Sequence, residues 1–364
     1  MLNKKFHTTM FMNNDIKNIL GVMLLAVFLF HADFTFAGNE QRSGQAGATE
    51  LLINPWARSS GWGSANVASV SGIEATFMNV AGLSATENLE LVFSNTSWFA
   101  DIKINAFGVA KALDSDAVLA LTFMSMNFGA IEVTTTEQPN GTGGTYSPSY
   151  MNAGFSYTKK FTDNISCGAT VRVISQSIPD LNASGISLDA GVQYVAGAER
   201  QIKFGISLKN IGPKLKFDGD GNDIKNTNSA AHGQDYQMTY ELRSDAFELP
   251  SLLSIGGAYD FHLDADHRMT LAGNFISNSF TKNQFITGLE YAYKENVMLR
   301  TGYAYEKGIN KINSEQRTTA LTGLNCGASF ELPMRNGTTF GIDYSYRSAN
   351  PLSSPHSIGA RITL

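Results

Sequence analysis

Two short stretches hold residue types able to do chemistry. In KFDGDGND, Asp218, Asp220, Asn222 and Asp223 space oxygen donors as a calcium loop does. Such a loop turns on a glycine at its sixth position and closes with a glutamate at its twelfth. Asp223 and Ser229 stand there instead, so the stretch reads as a solvated acidic turn. In NPWARSSGWGSA, residues 54–65, glycines, serines and Arg58 suggest a cradle for phosphate. The stretch lacks the lysine and Ser/Thr pair of a phosphate loop, and no strand and helix flank it as a dinucleotide fingerprint requires. Six histidines are scattered, and Cys167 and Cys326 lie far apart with no CxxC or histidine spacing around either. No Ser/His/Asp set is suggested by neighbouring motifs, so the reading is of a non-enzyme with no catalytic residue, no metal and no cofactor.

The elements around these stretches are of one kind. Lys4, Lys5 and Lys17 precede an apolar run from Ile19 to Phe30 that ends in HADFTFA, which reads as a secretory signal peptide over 1–37. The net charge of −5 implies no nucleic-acid partner. Beyond the leader, side chains alternate. TFGIDYSYR sets Phe340, Ile342, Tyr344 and Tyr346 against Gly341, Asp343, Ser345 and Arg347, as a strand with two different faces requires. GISLDAGVQY and IKFGISLK repeat the pattern. Fourteen such segments lie between residues 89 and 364, most near the length with which a tilted strand crosses a bilayer. Connections after even-numbered segments are short, and the long ones, 129–150, 211–251, 307–317 and 348–356, follow odd-numbered segments. That sorting is the habit of outer-membrane barrels, whose turns are short on one side and loops long on the other.

An all-β fold is therefore expected: a transmembrane antiparallel β-barrel of about 14 strands over 89–364, with an N-terminal hatch or plug over 38–88. The apolar, aromatic-tipped face should meet lipid. The polar face should line the lumen with charges of both signs, Arg172, Asp189, Lys203, Glu290, Arg300, Asp343, Arg347 and Arg361, which pair and stiffen the wall. Residues 38–88 hold glycines 61, 63, 72 and 82 and two Asn-led turns, which suits a compact element inside the lumen.

The opening stretch and its sequel resemble the amino-terminal signature of the PorV/PorQ family, N-P-x-A-R-x-x-G-x-G-x-A followed by N-P-A-G-L. The matching residues are Asn54, Pro55, Ala57, Arg58, Gly61, Gly63 and Ala65, then Asn79, Ala81, Gly82 and Leu83; Val80 stands where the family has proline. NIGPKLKF (210–217) and ELPSLLSIGGAYDF (248–261) are also similar to the family. The resemblance implies a barrel related to the long-chain fatty-acid transporter (FadL-like) fold, in the outer membrane of Bacteroidota. It also implies service in type IX secretion, binding cargo with a C-terminal sorting domain, the translocon or the attachment complex. Partner contacts would then fall on the largest loop, with Asp218, Asp220, Tyr236 and Tyr240 as candidates. The alternative is a transporter of hydrophobic small molecules, which predicts an apolar pocket beneath the hatch, whereas the lumen-facing residues are largely charged, glycine or polar.

Overall fold

The computed structural model describes residues 40–229, 235–309, 319–335 and 337–364. The expected leader, 1–37, lies outside them. Alternation becomes a wall because each strand can satisfy its backbone only through its neighbours, and closure leaves no edge to hydrogen-bond with lipid. The strands are β1 (Leu89–Ser97), β2 (Lys103–Ala112), β3 (Ala117–Asn127), β4 (Ile131–Glu132), β5 (Thr145–Tyr146), β6 (Ser149–Lys160), β7 (Ile165–Ile178), β8 (Leu181–Ala196) and β9 (Ile202–Ile211). Then come β10 (Asp223–Ser229), β11 (Asp235–Glu241), β12 (Leu252–His262), β13 (His267–Asn278), β14 (Gln284–Tyr293), β15 (Val297–Tyr305), β16 (Leu321–Pro333), β17 (Thr339–Ala349) and β18 (His356–Thr363).

Fourteen of these close into one antiparallel barrel, each beside its neighbour in the chain, and β1 pairs with β18 from Glu90↔Thr363 to Ser97↔His356. The remaining four form two hairpins in long loops, β4 with β5 and β10 with β11. At the end of the barrel holding both chain ends of the wall, no connection exceeds five residues. The opposite end carries 128–148 and 212–251. The fourteen expected strands all coincide with barrel strands, and the loop sorting is as expected.

Burial alternates residue by residue along β6, with Met151, Phe155 and Tyr157 among its outward residues. One row crosses four strands at mid-height: Leu121↔Phe155, Phe155↔Val171 and Val171↔Leu188, all exposed. An apolar exterior of this extent on a β-barrel fits a lipid belt. Phe155→Arg should therefore destabilise the barrel by about 2–4 kcal/mol, the cost of an arginine at a bilayer midplane. Reversible denaturant unfolding in liposomes measures it, with Ser156→Ala on the inner face as the comparison.

Candidate functional site

The bore is occupied by the chain's own N-terminal segment. Residues 54–86 fold into helical turns, Ala57–Gly61, Gly72–Glu74, Ala75–Met78 and Val80–Ala85, each too short to persist alone. They hold because they are packed inside the wall, where Ala65, Val67, Ile73, Ala81 and Leu83 are fully buried. Asn54 accepts from the Trp56 N–H at 3.0 Å and starts the first turn, with Pro55 buried between them. Asn79 fastens the second motif: its Oδ1 accepts from the Ala81 N–H at 3.3 Å, and its Nδ2 donates to the carbonyls of Val67 and of Val192 on β8, 3.0 Å each. Gly82 allows the chain to pass itself, since a Cβ there would lie 2.1 Å from the Val70 carbonyl. Gly63, with φ of 62°, takes the left-handed region that favours glycine. Gly61 faces Gly327 of β16 so closely that a Cβ on it would stand 2.9 Å from that Cα.

Charges hold this plug against the wall. Arg58 reaches Asp343 at 3.0 Å and also pairs with Glu331. Arg361 contacts Glu74 at 3.3 Å, Asp343 at 3.4 Å and Glu90 at 3.6 Å. Glu74 closes the plug on itself, accepting from the Ser59 N–H at 2.7 Å and the Ser59 hydroxyl at 2.5 Å. Across the bore, Arg172 pairs with Asp189 at 2.8 Å and donates to the Thr76 carbonyl at 2.5 Å. Arg300 pairs with Glu290 at 2.9 Å, and Lys203 with Asp260 at 2.6 Å. Arg347 has no carboxylate partner among the described residues; it lies over the Trp98 ring and donates to the Asn54 carbonyl at 3.3 Å. The eight charges named from sequence thus all face the bore, and seven of them form ion pairs. Glu74, Glu90, Asp260, Arg268 and Glu331 complete the network and were not singled out; Asp260 and Arg268 lie on inward positions of the alternation, which was the available signal.

Another part of the inner wall is apolar. At the long-loop ends of β2, β3, β6 and β7, Ile104, Met124, Met126, Tyr150 and Ile174 form a buried apolar cluster with Ala48, Leu51, Leu215 and Leu249. Lower down, Val92, Ala106, Ala110, Val118 and Ala120 of the wall pack with Trp56, Ile73, Phe77, Met78 and Leu83 of the plug. An apolar seam therefore runs along the β2–β3 side, while the charged clamp occupies the β14–β18 side. The polar lumen expected from sequence describes only part of the bore. On the clamp side a cavity of about 330 Å³ is lined by Glu74, Asp260, Glu290, Glu295, Glu331, Arg58, Lys203, Arg268 and Asn66, among others.

The loop candidates lie outside the bore. Asp218 is exposed and pairs with Lys216 at 2.6 Å, and Asp220 opens a single helical turn, Asp220–Asn222. No group of three or more His, Cys, Asp or Glu able to hold a metal occurs among the described residues. Tyr240 is exposed on the β10–β11 hairpin opposite Ile224; Tyr236 is on the same hairpin, its side chain outside the described part.

No family model and no curated protein sequence matches the chain. Solved structures do. The CymD monoaromatic hydrocarbon channel matches with a TM-score of 0.50 and 13% identity, covering 90% of this chain and 97% of that one. The P. putida toluene transporter TodX matches with a TM-score of 0.53 and 14% identity, covering 85% and 98%. At such identities the likeness is one of fold: a 14-stranded barrel like those of outer-membrane hydrocarbon channels.

The fit of plug to wall is testable. A Cβ at Gly302 of β15 would stand 2.0 Å from the Trp62 carbonyl. Gly302→Val should leave the barrel folded but unseat the plug, seen as raised ion conductance in planar bilayers and new protease cuts within 54–86.

Proposed function

We propose that this chain is an outer-membrane barrel that passes small hydrophobic molecules inward along the seam between its plug and the β2–β3 wall. The carrying observation is the pair of buried apolar clusters on that wall, one at the long-loop end and one in the lower bore, with Thr122 between them on β3. The solved structures of similar fold, whose titles name a hydrocarbon channel and a toluene transporter, support the same reading. An apolar solute gains by leaving water for such a lining, roughly 25 cal/mol per Å² of its surface. Apolar packing is also non-directional, so most of the seam's contacts can part and reclose with no geometry to restore, while a few wall hydrogen bonds, such as the Ile73 N–H to Glu90 at 3.1 Å, break with them. The ion pairs on the other side keep the plug from leaving with the solute.

The mouth of the seam is covered by residues 46–53 and by Leu215, Phe247 and Leu249 of the long loop. Glu248 ties the cover down, pairing with Arg42 at 2.8 Å and Lys214 at 3.3 Å. Hydrogen bonds from those two cations hold its carboxyl below the usual glutamate range. The tie is therefore complete above that range and is lost as the pH falls through the lowered value. Glu248→Gln at neutral pH mimics the protonated state and should raise solute entry.

Uptake of a labelled monoaromatic hydrocarbon into liposomes holding the barrel tests the proposal. Flux above empty liposomes is expected, with a several-fold loss in Met126→Asp, since a carboxylate in the lining costs about 1–3 kcal/mol or more to desolvate. Flux equal to empty liposomes would discard it.

A second reading has its own observation. The amino-terminal motif resembles that of PorV/PorQ proteins, and the β10–β11 hairpin presents Ile224, Met238, Tyr240 and Leu242 outward. In that reading the barrel serves type IX secretion and binds cargo or the translocon through its outer loops. Co-purification of secreted proteins sharing a terminal domain, without hydrocarbon flux, would favour it.

A further inference from the structure

A polar row separates the two apolar clusters of the seam. Register sets Thr122 of β3, Gly154 of β6 and Arg172 of β7 side by side, between Ala120 of the lower cluster and Met124 and Ile174 of the upper one. Such a row is a poor surface for a hydrocarbon to cross unless one of its groups gains by meeting the solute. Phe77 of the plug, which belongs to the lower cluster, reaches this level. Its ring centroid lies 6.0 Å from the Arg172 guanidinium carbon and 3.5 Å from Nζ of Lys209 on β9. On the transport reading, a solute passing from the upper cluster to the lower displaces that ring.

Lys209 depends on Phe77. The lysine is 5% exposed and faces the bore, yet its ammonium forms no hydrogen bond or ion pair among the described residues. Asp189, on the neighbouring strand β8, is already committed: one oxygen pairs with Arg172 at 2.8 Å and the other accepts from the Asn210 N–H at 2.7 Å. What the ammonium has instead is the face of one benzene ring, an electrostatic contact that strengthens out of water. When Phe77 moves, a buried charge loses its partner, and the π face of a solute restores the contact where a saturated ring cannot. The side chain of phenylalanine is chemically a toluene unit, so the room that Phe77 vacates matches a monoaromatic solute. We propose that Lys209 is a specificity-determining residue of the seam, favouring aromatic over saturated hydrocarbons because a solute ring takes the place of Phe77 over its ammonium. This rests on the transport reading above and adds to it the group that selects the solute.

Toluene and methylcyclohexane, two methyl-substituted rings of nearly equal size, one with a π face and one without, are the probes. Their fluxes are measured in liposomes holding the full chain, each corrected for empty liposomes. The ratio of toluene to methylcyclohexane flux should be about three- to tenfold higher in wild type than in Lys209→Met, the factor that a desolvated cation–π contact supplies. Lys209→Arg keeps a cation for the ring and should hold most of the wild-type ratio. Lys209→Gln replaces the methionine variant if that one lacks the heat-modifiable gel mobility of a folded barrel. A ratio equal in wild type and the uncharged variant, or one that falls as far in Lys209→Arg, overturns the role of Lys209 and leaves transport standing. No flux of either solute through wild type overturns the transport reading and the role of Lys209 with it.

Discussion

Arg58 and Arg361 meet Glu74, Glu331 and Asp343 inside the bore, largely withdrawn from water, and the position of the plug follows from that meeting. Buried ion pairs are a poor source of net stability, because desolvation offsets most of the attraction. They are an exacting source of position, since any displacement leaves a charge both dehydrated and unpaired. The barrel makes this possible. Its backbone is satisfied within the wall, so inward side chains are free for side-chain and plug contacts. Asn79 and Thr76 then turn the plug's own short turns into hydrogen-bond partners for that lining.

The two halves of the bore do different work. On the β14–β18 side the contacts are directional and charged. On the β2–β3 side they are small and apolar, with Ala106, Ala110 and Ala120 leaving room for Trp56, Phe77 and Leu83. In the proposed reading, a plug held by ion pairs along one side and mainly by apolar packing along the other would hinge about its clamped side. Passage of an apolar solute would use the side where parting breaks no ion pair, and the polar cavity would remain with the fixed side.

Much of this was legible in the sequence. Period-two alternation in segments such as TFGIDYSYR gave strand, face and lumen charge together, because a strand's two faces are read by the same residues. Loop lengths gave the end of the barrel that carries the long loops. The apolar seam was not legible: Ala120 and Met124 sit beside outward Leu119, Leu121 and Phe123, so the middle of β3 shows little contrast between faces. Gly302, Gly205 and Gly288 read as neutral gaps in the alternation, and only the plug's position explains them. Partnerships within the clamp, such as Arg58 with Asp343, join residues nearly the full chain apart, which no local pattern records.

The hinge is tested most directly by two cross-links in a background lacking Cys167 and Cys326. A Cβ on Gly359 would stand 3.3 Å from that of Ala57, close to disulfide spacing, so Ala57→Cys with Gly359→Cys locks the clamp side. Ile73→Cys with Gly108→Cys locks the seam, where Ile73 packs over the Gly108 position. A plug that parts along β2–β3 gives hydrocarbon flux that is unchanged by the first lock, abolished by the second and restored by reductant. Flux that persists through a locked seam, or stops when only the clamp is locked, would contradict it.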